Sequence, residues 1–248
     1  MLSFSKLFCF LSMFFVALTV AAPIDKLVAP ICGVDGVSVR LPLSRFSNND
    51  YKGRPWVAPP RGFYLQPWNM IYATHAANLA LRNFQYDPSP VRADKPDGDI
   101  NDMSSFQVPG SDQVFTSYGV DTRLNIHGDH LQYSGTGILK GAFSTYSLLA
   151  WGCDENNVPY YVNYATETEL TKTPAGIDIM SIIDTGLDDK TFGRIQAELK
   201  NLGDPEITAM AANLTKTVQD GARRGLPRVT TCDAACKSNV NLKDIIGL

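Results

Sequence analysis

The chain has 248 residues, of which 44% are hydrophobic and 19% charged, and a formal net charge of −3. That length holds one sizeable core. The mild acidity, with no block of Lys and Arg able to follow a phosphate backbone, argues against nucleic acid as a partner.

Residues 1–22 carry one cation, Lys6, then an apolar run, and end in the small residues Val20-Ala21-Ala22. This is the pattern of a secretory signal peptide, so the mature chain is expected to start near Pro23 and to be secreted. No later segment is apolar for long enough to cross a bilayer, so no transmembrane segment is expected in the mature chain. Cys9 leaves with the leader. Cys32, Cys153, Cys232 and Cys236 remain, an even set that predicts two disulfides in an oxidising compartment, with three pairings open. A bridge from a terminal segment to the turn at Cys153 is favoured, because tails fray unless tied down. The Cys232-x-x-x-Cys236 pair lacks a histidine after it to complete a zinc site, so no metal is expected. Asn213-Leu214-Thr215 makes Asn213 a glycosylation acceptor.

Residues 23–61 are rich in Pro, Gly and Asn and read as an N-terminal extension wrapped on the main β-rich body of the chain. Residues 62–75 hold Phe63, Tyr64, Leu65, Trp68, Met70, Ile71 and Tyr72 and predict a long aromatic strand. Residues 79–86 predict a second, reached by an Ala-Ala-Asn turn. The stretch 87–102, with its prolines and charges, predicts a surface loop beside a barrel mouth. Further strands are predicted at 103–108 and 114–126, where Val114, Thr116, Tyr118 and Val120 alternate with more polar neighbours. A turn at His127-Gly128-Asp129 leads to a strand at 131–139, bent at Gly135 and Gly137. Strands at 144–151 and 160–168 pair across 153–159, and Tyr160, Val162, Tyr164 and Thr166 share a face.

Residues 177–183 form the last predicted strand. Asp188 or Asp189 then caps a helix whose Phe192, Ile195, Leu199 and Leu202 recur at helical spacing and whose end is marked by Gly203. Asp204-Pro205 opens a second helix with Ile207, Met210, Ala211, Leu214 and Val218 on one stripe. The pattern predicts a mainly β chain: an antiparallel up-and-down barrel of about eight strands over 62–220, with the helical pair packed outside. Residues 221–248 form a disulfide-tethered tail.

The segments Pro67-Trp68-Asn69-Met70-Ile71-Tyr72, Tyr133-Ser134-Gly135-Thr136-Gly137-Ile138-Leu139 and Thr173-Pro174-Ala175-Gly176-Ile177-Asp178-Ile179-Met180-Ser181, with 144–152 and the helix after the last strand, resemble the lipocalin-like (calycin) family. The likeness is greatest to the secreted lipocalin-like proteins of fungi. It departs from the family at two points: Gln66 stands where a Gly precedes the strand-one Trp, and Ile182 where many members carry an Arg stacked over it.

The resemblance implies a cavity for a small hydrophobic ligand, closed at its floor by Trp68. Ligand contacts are expected from Trp68, Tyr72, Phe84, Tyr118, Tyr133, Tyr146 and Tyr164, whose rings cover apolar surface while a hydroxyl orients a polar group. Side-chain parity decides which of them face inward, and a bulge would invert it. The His127-Gly128-Asp129-His130 run is read as a hairpin tip, and no paired-carboxylate site is indicated by Glu155, Glu167 or Glu169. The expected function is binding of a small hydrophobic or amphipathic molecule, with no cofactor. The alternative class implied by the resemblance is a cofactor-free cyclase or isomerase of a fungal secondary-metabolite pathway.

Overall fold

The computed structural model describes residues 38–46 and 56–246. The leader, Cys32 and most of the N-terminal extension therefore lie outside the described residues. A two-residue strand, β1 (Ser38–Val39), precedes β2 (Trp68–Ala73), the one-turn helix α1 (Ala76–Leu79), β3 (Arg82–Tyr86), β4 (Ser89–Pro90), β5 (Ile100–Gln107) and β6 (Phe115–Arg123). Then come β7 (His130–Gly135), β8 (Phe143–Cys153), β9 (Pro159–Ala165) and β10 (Gly176–Ser181). Helices α2 (Asp189–Asn201) and α3 (Pro205–Asn213), strand β11 (Thr215–Lys216) and the short helices α4 (Ala234–Ser238) and α5 (Lys243–Ile246) complete the chain.

Strands β2, β3, β5, β6, β7, β8, β9 and β10 pair in that order, always antiparallel, and β10 returns to pair with β2. The sheet is therefore a closed eight-stranded up-and-down barrel, the lipocalin-like architecture. One seam is incomplete. β2 meets β3 only at Trp68 and Asn69, and beyond that point the chain after α3 fills the gap. β11 pairs with Ala73 and Tyr72, the Thr217 hydroxyl donates to the Met70 carbonyl at 2.6 Å, and Asn83 N donates to the Val218 carbonyl at 2.7 Å.

Helices α2 and α3 form where predicted because their caps are local. Asp188 accepts from Thr191 N, and Asp204 accepts from Glu206 N and Ile207 N with Pro205 in the first turn. Their buried Ile195, Leu199, Ile207 and Ala211 lie on an apolar bed made by the outer faces of Ile71, Tyr72, Leu149, Tyr160, Val162, Ile177 and Ile179. Each fully buried Ile or Leu there contributes about 1.5–3 kcal/mol. α3 ends at Asn213, because Leu214 turns to an extended conformation and hands the chain to β11. Val218, expected on the helical stripe, is 45% exposed.

The first strand is shorter than the aromatic run. Phe63 and Tyr64 sit in turns beneath the barrel, where they pack on Trp68, Tyr86, Trp151 and Tyr161 as its floor. The turn after it is the helix α1, capped by the His75 ring accepting from Ala77 N. The stretch 87–102, expected as a surface loop, is loop only in part: β4 pairs with the start of β5 across it, and residues 91–99 make the turn between them. Cys232 and Cys236 are bridged to each other, closing a loop within the tail, and Cys153 is also disulfide-bonded. Among the described residues no helix is long and apolar enough to cross a membrane.

Candidate functional site

Two bulges set which side chains enter the barrel. Between Met70 and Tyr72, β2 carries an extra residue against β10, so Ile71 and Tyr72 both face outward while Trp68, Met70 and Ala73 face in. β8 does the same at Leu149 and Ala150, leaving Leu148 and Trp151 inside. On β6 and β9 it is the more apolar face that points outward, toward the tail and the helices. The more polar set, with Asp121 on β6 and Tyr161 and Asn163 on β9, points in.

The seven residues expected to touch ligand divide accordingly. Trp68 is fully buried at the floor, its indole N–H donating to the Tyr64 carbonyl at 2.9 Å and its ring set edge-on to Tyr161 at 4.7 Å. Phe84 and Tyr146 line the interior cavity, and Tyr133 is inside, edge-on to Tyr146 at 6.4 Å. The structure places the other three on the outer wall. Tyr72 stacks on Phe192 of α2, Tyr164 reaches Glu206 of α3, and Tyr118 lies under Lys237 of α4 with its hydroxyl donating to Asn101 Oδ1 at 2.7 Å. Ile182 packs at the floor, and the Trp68 carbonyl instead accepts from Arg228 of the tail at 2.6 Å.

The cavity has a volume of about 120 Å³ and is lined by Tyr64, Met70, Asn78, Phe84, Tyr86, Asp102, Ser104, Tyr146, Tyr161, Asn163, Asp178 and Met180. Two of these are carboxylic acids, and a third, Asp121, stands fully buried behind them. Ile100 pairs with Asp121 and Asp102 with Gly119, so the two inward aspartates are diagonal neighbours on adjacent strands. The Tyr86 hydroxyl donates to Asp121 Oδ2 at 3.2 Å, while Asp121 Oδ1 is buried with no donor other than a proton shared with Asp102. Burial pushes both carboxyls up, and the negative charge of Asp102 raises Asp121 further, so the pair holds one proton between them. Asp178 accepts from Asn78 Nδ2 of α1 at 3.1 Å, and burial raises it to about 6. Burial also lifts Tyr64, Tyr86, Tyr146 and Tyr161 well above the ordinary tyrosine value, so these hydroxyls stay protonated.

Sequence reasoning missed this acidic lining. Asp102 falls in the stretch predicted as loop, and Asp121 and Asp178 lie inside predicted strands whose composition does not mark them as inward-facing. The available signal was parity: Asp102, Ser104 and Phe106 alternate with Asn101, Met103 and Ser105. The His127–His130 turn is structural. His127 is exposed, and Asp129 is fully buried, accepting from Trp56 Nε1 at 2.7 Å and Asn125 Nδ2 at 2.6 Å. Among the described residues no group of three His, Cys, Asp or Glu side chains is placed to hold a metal ion. Asn213, the glycosylation acceptor, is exposed at the end of α3.

No family model matches the chain. It is 26% identical over 196 residues to "Botcinic acid biosynthesis cluster B protein 12" of Botryotinia fuckeliana, covering 76% of this chain and 86% of that protein. Among solved structures it is similar to apocrustacyanin C2, at 15% identity and a TM-score of 0.45, over 65% of this chain and 81% of that one. Lobster apocrustacyanin A1 is similar at 15% identity and a TM-score of 0.43, over 64% and 79% respectively.

Proposed function

We propose that this chain is exported and encloses a small amphipathic molecule in its barrel. The observation that carries the reading is the cavity itself: a space of about 120 Å³ within the barrel wall, bordered by aromatic rings, by the Asp102 and Asp178 carboxyls and by Asn163 Oδ1, an acceptor that the protein leaves unpaired. A water molecule needs only about 10–15 Å³ of such space, so the volume has room for an organic group. Buried polar atoms are normally satisfied, and a ligand is one means of satisfying them. Mass spectrometry of small molecules co-extracted with the protein from its native source tests the reading directly. A co-purified compound is expected, along with quenching of indole fluorescence by apolar probes; protein that carries nothing and binds no probe sinks it. The leader reading supports export and predicts an extracellular form whose N-terminus lies near Pro23.

A second reading, a cofactor-free cyclase or isomerase, is favoured by the Asp102–Asp121 pair. A carboxyl pair sharing a proton beside four protonated tyrosines is equipment for moving or donating a proton at a bound molecule. The similarity to a protein named for a biosynthesis cluster supports a small-molecule substrate. Under this reading Asp102→Asn stops conversion of the co-purified compound even at concentrations that keep the cavity filled.

A further inference from the structure

The acceptors at this site are short of donors. Asn163 Oδ1, in a residue 5% exposed, is an acceptor without a donor, and behind the lining Asp121 Oδ1 has only the proton it shares with Asp102. The Asp102 and Asp178 carboxyls face the same space, and only Asn78 donates to Asp178. Among the described residues no Lys, Arg or His lines the cavity. Carboxylates enclosed without a cation are costly, so the lining is incomplete in positive charge.

Apart from the Ser104 hydroxyl, the remaining walls are the rings of Tyr64, Phe84, Tyr86, Tyr146 and Tyr161, whose faces attract a cation, and the polarisable side chains of Met70 and Met180. From the carboxyls, the donor-starved Asn163 oxygen and the aromatic walls together, we infer that the cavity takes a small organic cation, a protonated amine bearing an apolar group. The ammonium supplies up to three donors to the Asn163 oxygen and to carboxyls that have fewer donors than they can accept, and its apolar part lies against the rings. The inference rests on the cavity being the binding site and names the chemical class of its ligand.

The test uses three probes with one skeleton and three charges: phenethylamine, 2-phenylethanol and phenylacetate, titrated calorimetrically into the mature protein at neutral pH. The amine is expected to bind at least about tenfold more tightly than the alcohol, as befits a charge-assisted hydrogen bond, with the carboxylate weakest. Asp178→Asn, which keeps an acceptor for Asn78, is expected to remove most of the amine's advantage and to leave the alcohol unchanged. Alcohol binding equal to or tighter than the amine overturns the cation inference and leaves the cavity reading standing, as does an amine preference that survives both Asp178→Asn and Asp102→Asn. If none of the three binds but an apolar fluorescent probe is held, the cation inference again falls alone. If that probe is rejected as well, both fall.

Discussion

Arg40 and Asp129 meet 3.3 Å apart beneath the surface, with side chains 5% and 0% exposed. The Arg40 Nε donates to the Leu148 carbonyl at 2.7 Å, its guanidinium lies 3.9 Å above the Trp56 ring, and the Trp56 indole donates back to Asp129. The group joins the segment after β1 to the turn before β7 and the middle of β8. Asp129→Ala would strand a buried guanidinium, and the expected loss of stability is about 3 kcal/mol. Urea unfolding measures it. A loss below about 1 kcal/mol, the range of exposed ion pairs, would show that the pair is not sealed from water.

The outward stack of Tyr72 on Phe192, with centroids 3.9 Å apart, separates stability from binding. Tyr72→Ala is expected to cost about 3 kcal/mol of folding free energy, as large aromatic truncations do, and to leave ligand affinity unchanged. Phe84→Ala enlarges the cavity and is expected to change the affinity and the ligand's size limit. Equal effects of both on affinity would place Tyr72 in the barrel and refute the bulge.

That bulge also explains what the sequence made legible and what it hid. The barrel and its two helices show in the chain because each depends on local signals: alternating strands, the Asp188 and Asp204 caps, Pro205 at a helix start. Inside and outside are harder. Ile71 and Tyr72 share a face only because one residue is unmatched against β10, and nothing in the Trp68–Ala73 run marks that residue. On β6 and β9 both faces are covered, so apolar alternation no longer points to the interior: Tyr118 and Tyr164 serve the outer layers, and Asp121 and Asn163 the cavity. Asp102 was hidden by composition. A stretch of prolines and charges reads as solvated loop, yet its last residues continue into β5.

Buried aspartates give the protein a pH signature. Asp178 ionises at about 6 in the fold and at its ordinary 3.8 when unfolded, so the folded state holds the extra proton between those values. Its stabilising contribution is complete below 3.8 and is lost as pH rises through about 6; Asp102 and Asp121 are raised too and act with the same sign. Asp220, lowered to about 2 by the Ala222 amide, Asn83 and Arg82, works oppositely and only in strong acid. His130, lowered by burial, also has the opposite sign, but it cancels when two variants are compared. Asp178→Asn is therefore expected to gain on the wild type as pH rises from about 5 to 8, by about 1.4 kcal/mol, the worth of the one pH unit between 5 and the folded value of about 6. A stability difference that stays flat across that range would mean the carboxyl is already ionised at pH 5.

Asn239 anchors the tail through backbone groups of the barrel. It is fully buried at φ 57°, its Oδ1 accepts from Tyr118 N at 2.8 Å, and its Nδ2 donates to the Tyr118 and Thr136 carbonyls at 2.9 and 2.8 Å. Gly137 allows the approach, because a Cβ there would collide with the Ser238 carbonyl. The Cys232–Cys236 bridge closes only a short loop and touches neither contact, so it removes little chain entropy. Replacing both cysteines by Ser should leave the Tyr118 amide protected from hydrogen exchange. Asn239→Ala removes all three bonds and places Ala at positive φ, so the same amide should exchange at least about tenfold faster, the size of one buried hydrogen bond lost. If the cysteine variant exposes that amide and Asn239→Ala does not, the disulfide is the tether and the asparagine only decorates it.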